Sequence, residues 1–424
     1  MKASVITVMV LAAVLILSLI RDQAPAWPLD GYDATGIGRL RDTRPLTEPG
    51  AKSATLPKGA LLPTDQVDIR LADRPDLTLP PVDPDLSRRI VAYLGKDADR
   101  YSLSVLDLSD PDSPRYAEHR ADVRINPGSV GKLVAVLGLF QQLADIYPDD
   151  TAARLRVLRK TIVTADDFIL YDSHPVSIRD PDSGRLVRRR LRIGDQGNLW
   201  EFLDWMLSAS SNASASMVIK QAMLMNHFGR AYPVSREMQD RFFRETPKSE
   251  LSAILADVLQ KPVTRNGLDL HELRQGSFFT AVAKKRVPGV SSYATSKELM
   301  RYLLKLEEGR LVDTFSSRQI KRLLYLTERR IRYASAPALR DAAVYFKSGS
   351  LYKCRPEAGF TCRKYHGNVW NMMNSVAIVE APAGERKLFY MVTLMSNVLR
   401  KNSAVEHQTL AMRIHRLMQR DHAK

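Results

Sequence analysis

Three short groups of side chains occur in order along the chain: Ser129-Val130-Gly131-Lys132, Ser210-Ser211-Asn212 and Lys347-Ser348-Gly349. Read as S-x-x-K, S-x-N and K-[ST]-G, they describe a pocket in which an active-site serine is acylated. A serine hydroxyl is a weak nucleophile and needs a base beside it. Lys132, three residues on in a helix, lies one turn later on the same face as Ser129. Buried there, its amine loses a proton near neutral pH, because desolvation disfavours the ammonium. Ser210 would then relay a proton between that amine and a leaving nitrogen, and Asn212 would hydrogen-bond a substrate amide. Lys347 and Ser348 suit a substrate carboxylate, and Gly349 lets the substrate backbone come close. The backbone N–H groups of Ser129 and Ser350 can pair as an oxyanion hole.

Each group alone has a plainer reading. A lone S-x-x-K is more often a helix cap with a surface lysine, and a serine-rich loop is most often a cap. Ser350-Leu351-Tyr352-Lys353 also fits S-x-x-K, but in a strand that spacing sends the two side chains to opposite faces. Other nucleophile signatures fail in the same loop. Pro127 stands where G-x-S-x-G needs glycine, while Asn126 and Leu133 break a phosphate-binding loop. The eight histidines show no nucleophile-base-acid order.

These residues must be held by particular elements. Asn126-Pro127-Gly128 breaks the chain before an apolar run from Ser129 to Ile146, which predicts a buried helix with Ser129 at its positive end. Ser210-Ser211-Asn212 falls between an amphipathic run from Asn198 to Leu207 and another from Ala213 to Met225, which makes a helix-loop-helix. Lys347-Ser348-Gly349 is flanked by strand-like residues. Strands are expected at Tyr101 to Asp107, Tyr116 to Ala121, Asn374 to Glu380 and Lys387 to Ser396, with a helix at each end of the domain. The fold class is therefore α+β: one antiparallel sheet from both chain ends, flanked by helices, with an inserted all-helical domain. The boundaries are 86–421 for the whole domain, 86–125 and 296–421 for the α/β part and 129–295 for the helical part.

Outside that domain, Lys2 precedes an apolar stretch from Ala3 to Ile20. Residues 1–23 are expected to be an inner-membrane signal anchor, or a cleaved signal peptide, with the remainder on the periplasmic side. Residues 24–85 carry ten prolines and no helical or strand period, and predict a linker that is a tether or a wrapping arm. Net charge is +16. The basic residues are scattered and match no nucleic-acid module, so nucleic acid is not an expected partner. The only cysteines, Cys354 and Cys362, flank Gly359 and predict a disulfide closing a short hairpin in an oxidising compartment. A metal site from Cys354, Cys362 and His366 lacks a fourth ligand. No cofactor is called for.

With these residues in view, the chain resembles the penicillin-recognising serine enzymes, and class A β-lactamases most. The likeness covers roughly residues 86–420 and rests on Tyr101 to Asp107, Ile125 to Leu139, Ser210-Ser211-Asn212 and the helix after it, Ala294 to Leu304, and Lys347-Ser348-Gly349 with the last strands and helix. It implies Ser129 as acylated nucleophile, Lys132 as base, Ser210 as relay, Asn212 as substrate ligand, and Lys347 with Ser348 as carboxylate site. It also implies a β-lactam or a peptidoglycan-like acyl-D-amino acid as substrate. Two departures stand out. Ser211 occupies a place where class A enzymes usually have Asp. No E-x-x-L-N stretch, whose Glu activates the deacylating water, occurs between Asn212 and Thr295; Glu272 is the only substitute. The expectation is a serine hydrolase opening a cyclic amide through acyl-Ser129, with a D,D-peptidase or a non-catalytic wall-binding module as alternatives.

Overall fold

A computed structural model describes residues 31–42, 57–180, 183–328 and 330–423. The expected anchor at residues 1–23 lies outside the described residues. Helix α1 (Pro84–Val91) starts with Asp83 accepting from the Asp85 and Leu86 amides, with proline at its first position. It leads through a 3₁₀ segment into β1 (Tyr101–Asp107) and β2 (Arg115–His119). The chain then leaves the sheet at helix α2 (Lys132–Ile146). It returns in β3 (Ala343–Lys353), β4 (Trp370–Ala381) and β5 (Leu388–Asn397) before helix α3 (Ser403–Asp421). The five strands run β2-β1-β5-β4-β3, every pair antiparallel. Strands from the two chain ends are thereby joined, Tyr101 facing Ser396 and Asp107 facing Tyr390.

Both faces of the sheet are covered, which explains strands buried along almost their whole length instead of alternating with polar residues. Leu86 and Ile90 of α1 and Leu410, Ile414 and Leu417 of α3 pack on one face with Leu103, Val105 and Val392. The other face carries the inserted region, whose core is built around α2. That helix is apolar on all sides and almost wholly buried, so it serves as the axis of the insert. Gly128–Ile146 is also the one described segment long and apolar enough to cross a membrane, and it lies inside the domain. The insert is helical apart from three two-stranded antiparallel pairs.

Residues 31–42 and 57–83 lie against this domain. They include two short helices, Tyr32–Thr35 and Gly38–Asp42, each too brief to leave a hydrophobic period in the sequence. Ile37, Leu40, Leu62, Val67 and Leu71 enter the main core. Arg39 donates to both carboxylate oxygens of buried Asp204 at 2.6 and 2.7 Å. Farther on, Arg70 makes a double contact with Glu380 at 3.1 and 3.0 Å, and its own amide donates to Glu307. Lys321, fully buried, reaches Glu307 at 2.6 Å and Glu380 at 2.8 Å. Two interior carboxylates are thus balanced by two cations, and one of those cations comes from the arm.

Candidate active site

Ser129 sits on a single 3₁₀ turn, Gly128–Gly131, that runs directly into α2. The turn is pinned to the sheet from below, where the Asn374 amide donates to the Asn126 carbonyl at 2.9 Å. Lys132, one turn on, is fully buried. Its amine stands 2.8 Å from Ser129 Oγ, 2.9 Å from the Ser210 carbonyl and 2.7 Å from Asn212 Oδ1. Burial pulls its pKa down to about 7, with Asp172 working in the opposite direction.

The second group joins helix α4, here Leu199–Leu207, to helix α5, Asn212–Phe228. A capping box between Asn198 and Glu201 starts the first helix, and the Ser211 hydroxyl caps the second by accepting from the Ser214 amide. Between them Ser210 adopts the left-handed region, φ 61°, which turns its carbonyl to Lys132 while its hydroxyl accepts from Lys347 Nζ at 2.8 Å. Ser210 therefore links both lysines.

Lys347, Ser348 and Gly349 lie on edge strand β3, packed against the Ser129 turn. Lys347 is buried, and burial together with Lys132 and Arg332 drives its pKa well down. A Cβ on Gly349 would stand 2.5 Å from the Pro127 carbonyl and 2.6 Å from the Ser129 amide, so only glycine permits this approach. Gly128, at φ +53°, would place a Cβ 3.5 Å from the Ser350 amide. The two glycines thus let the Ser129 turn and the Ser350 stretch of β3 approach each other backbone to backbone. The other S-x-x-K, Ser350 to Lys353, lies within β3, with Lys353 Nζ over the Trp370 ring.

Ser129, Ser210, Asn212, Ser348, Gly349 and Ser350 all line one cleft of about 840 Å³, with Lys132 and Lys347 buried beneath. Glu272 is not among the lining residues. Its carboxylate accepts from Thr295 at 3.4 Å and lies 4.0 Å from Arg301. Phe279 occupies the cleft instead, its ring centre 4.8 Å from the Lys132 amine.

A family model described as the β-lactamase enzyme family matches residues 85–414. The chain belongs to the β-lactamase enzyme family. Among solved structures it resembles PBP-A (14% identity, TM-score 0.51), over 81% of this chain and 100% of that one. An acyl-enzyme complex of a PBP-A mutant with penicillin G is similar at 13% identity and TM-score 0.50, over 81% and 100% of the two chains. A β-lactamase from Sphaerobacter thermophilus follows at 14% identity and TM-score 0.50, over 79% and 97%. At these identities the likeness is one of fold: β-lactamase/transpeptidase-like, α+β. No curated protein matches the sequence.

Within this family the Ser211 departure has a structural counterpart. Asp172, from a loop far away in sequence, accepts from the Ser211 hydroxyl at 3.0 Å and from the Ala213 amide at 2.9 Å. A buried carboxylate therefore stands behind the middle group although Ser211 itself has none. Burial works to raise the Asp172 carboxyl, but bonds from His174 and the Ala213 amide outweigh it and hold it well below the usual carboxylate range.

Arg332 also escaped the sequence reading. It donates to Ser348 Oγ at 2.6 Å, Ser350 Oγ at 3.0 Å and Tyr365 OH at 3.0 Å. No spacing marks it among the neighbouring arginines, because it opens a single 3₁₀ turn, Arg332–Ser335, too short to carry a period. The two cysteines are joined, closing the Cys354–Cys362 loop between β3 and β4.

Proposed function

We propose that this protein is a serine acyl-transfer enzyme in which Ser129 is acylated by an amide carbonyl, with Lys132 as the base. The observation that carries this reading is the set of three contacts around the Lys132 amine. A neutral amine has two N–H donors and one lone pair, by analogy with the donor count of the ammonium. The Ser210 carbonyl and Asn212 Oδ1 can only accept, so they take both donors. The lone pair is left for the Ser129 hydroxyl, which is the proton it has to remove. As Ser129 Oγ bonds to the carbonyl carbon, its proton passes to Lys132. It then goes through the Ser210 hydroxyl to the leaving nitrogen as the C–N bond breaks. The Ser129 and Ser350 amides receive the oxyanion, and Lys347, Ser348 and Arg332 receive a substrate carboxylate.

The acyl-enzyme is expected to be long-lived. Among the described residues no carboxylate lines the cleft, Glu272 faces Thr295 and Arg301, and Phe279 fills the space beside the amine. That favours a penicillin-binding type of enzyme acting on an acyl-D-amino acid of peptidoglycan kind, with a β-lactam as its acylating mimic. The joined cysteines agree with work outside the cytoplasm, on the periplasmic side of the inner membrane. Intact-mass measurement after incubation with benzylpenicillin tests the proposal. A persistent adduct of one drug mass, absent in Ser129→Ala, is expected; an unmodified chain, or an adduct that survives in Ser129→Ala, would overturn it.

A further inference from the structure

The groove continues past Ser350 to a loop that the reaction above does not use. Residues 354–369 join β3 to β4, and Cys354–Cys362 closes the first part of this connection. This loop brings Tyr365 and Lys364 to the cleft. The Tyr365 hydroxyl accepts from Arg332, whose guanidinium carbon stands 4.8 Å from the ring centre. On the same ring Lys364 Nζ stands at 5.1 Å. Two cations therefore share one phenol, and among the described residues neither has a carboxylate within ion-pair distance.

Backbone conformation singles out the same residues. Seven described non-glycine residues adopt positive φ, and three of them line this cleft: Ser210 at 61°, Arg332 at 54° and Tyr365 at 66°. Such conformations cost free energy, and they collect where a site over-determines them. Tyr365 is held by its carbonyl, which accepts from the Ser403 amide at the start of α3 at 3.1 Å and from the Ser403 hydroxyl at 3.3 Å.

We propose that Tyr365 and Lys364, beside Arg332, form a second anion subsite, so that the preferred substrate carries two carboxylates on the leaving-group side of the scissile bond. One carboxylate is held by Ser348, Lys347 and Arg332, and the other by the Tyr365 hydroxyl and Lys364. This rests on the acyl-serine reading above.

A pair of N-acyl-D-alanyl thioesters tests it, one of 2-mercaptobutanoate and one of mercaptosuccinate of the same configuration, alike except that a carboxylate stands in place of a methyl group. In each, a Ser129 Oγ–acyl bond forms, the C–S bond breaks, and the thiol leaves carrying the serine proton. Released thiol gives kcat/KM. The mercaptosuccinate ester should be favoured at least fivefold, and Lys364→Gln should bring that ratio towards one. Lys387→Gln, on an exposed lysine outside the cleft, should leave the ratio unaltered and so separates local recognition from the net positive charge. Equal rates in the wild type, or an equal fall in both variants, overturn the subsite while leaving the acyl-serine reading intact. If neither ester acylates Ser129, that reading fails, and binding of the two esters to Ser129→Ala by calorimetry still decides the subsite. Tighter mercaptosuccinate binding sustains it, and equal binding overturns it.

Discussion

Lys132 Nζ lies 2.8 Å from Ser129 Oγ, and of its three partners Ser129 is the only one able to return a proton. The amine is therefore oriented before any substrate arrives. It is held on one side by the carbonyl of a strained Ser210 and on the other by Asn212.

This arrangement gives a pH dependence with a definite sign. Burial lowers Lys132 to about 7, and only its neutral form can accept the Ser129 proton. Acylation rates measured by stopped flow should climb with pH through about 7 and level off above it. Lys132→Ala should remove that limb and slow acylation by at least about 100-fold.

Asp172 raises Lys132 through its charge, so neutralising it should move the limb the other way. In Asp172→Asn the acid limb should shift to lower pH. Asp172 uses one oxygen for Ser211 Oγ and the Ala213 amide and the other for His174. Asn keeps only one acceptor oxygen, so one set loses its acceptor, which should cost about 1–3 kcal/mol of stability by urea denaturation.

Lys347 is buried with no carboxylate in ion-pair reach among the described residues, and its ammonium is disfavoured by burial and by two neighbouring cations. In the proposed reaction a cation held there meets the substrate carboxylate, at the expense of the fold. Lys347→Met should raise stability by about 1 kcal/mol in a thermal melt while acylation falls sharply.

Gly349 has no room for a methyl group against the Ser129 amide. Gly349→Ala should push β3 away from the nucleophile turn and open the oxyanion hole. Acylation should drop by about 100- to 1000-fold with far-UV circular dichroism unaltered.

Arg70 ties the arm to buried Glu380, beside Glu307 and Lys321. Arg70→Ala leaves two interior carboxylates facing one lysine, and should destabilise the protein by about 3–5 kcal/mol in chemical denaturation. A chain starting at residue 85, where the family match begins, should lose more than that, because Leu62, Val67 and Leu71 leave the core with Arg70.

The sequence by itself determined what is local. Ser129 and Lys132 share a helix face because three residues make nearly one turn, and Asn126-Pro127-Gly128 ends the preceding chain whatever surrounds it. The order of strands and helices followed from hydrophobic period, and the two cysteines could be paired because they are the only ones and lie close together. Tertiary structure alone decided what comes from afar. Asp172 supplies the carboxylate that Ser211 lacks, and Arg332 and Tyr365 meet beside Ser348 and Ser350 from segments too short to carry a period. Glu272 is carried towards Thr295 and Arg301 instead of the cleft. Residues 57–83 wrap the domain and supply it with Arg70, whereas their prolines left a tether and a wrapping arm equally open. In each case the deciding quantity is a distance of a few ångströms between residues tens or hundreds of positions apart. Loop closure sets that distance, and side-chain spacing along the chain does not encode it.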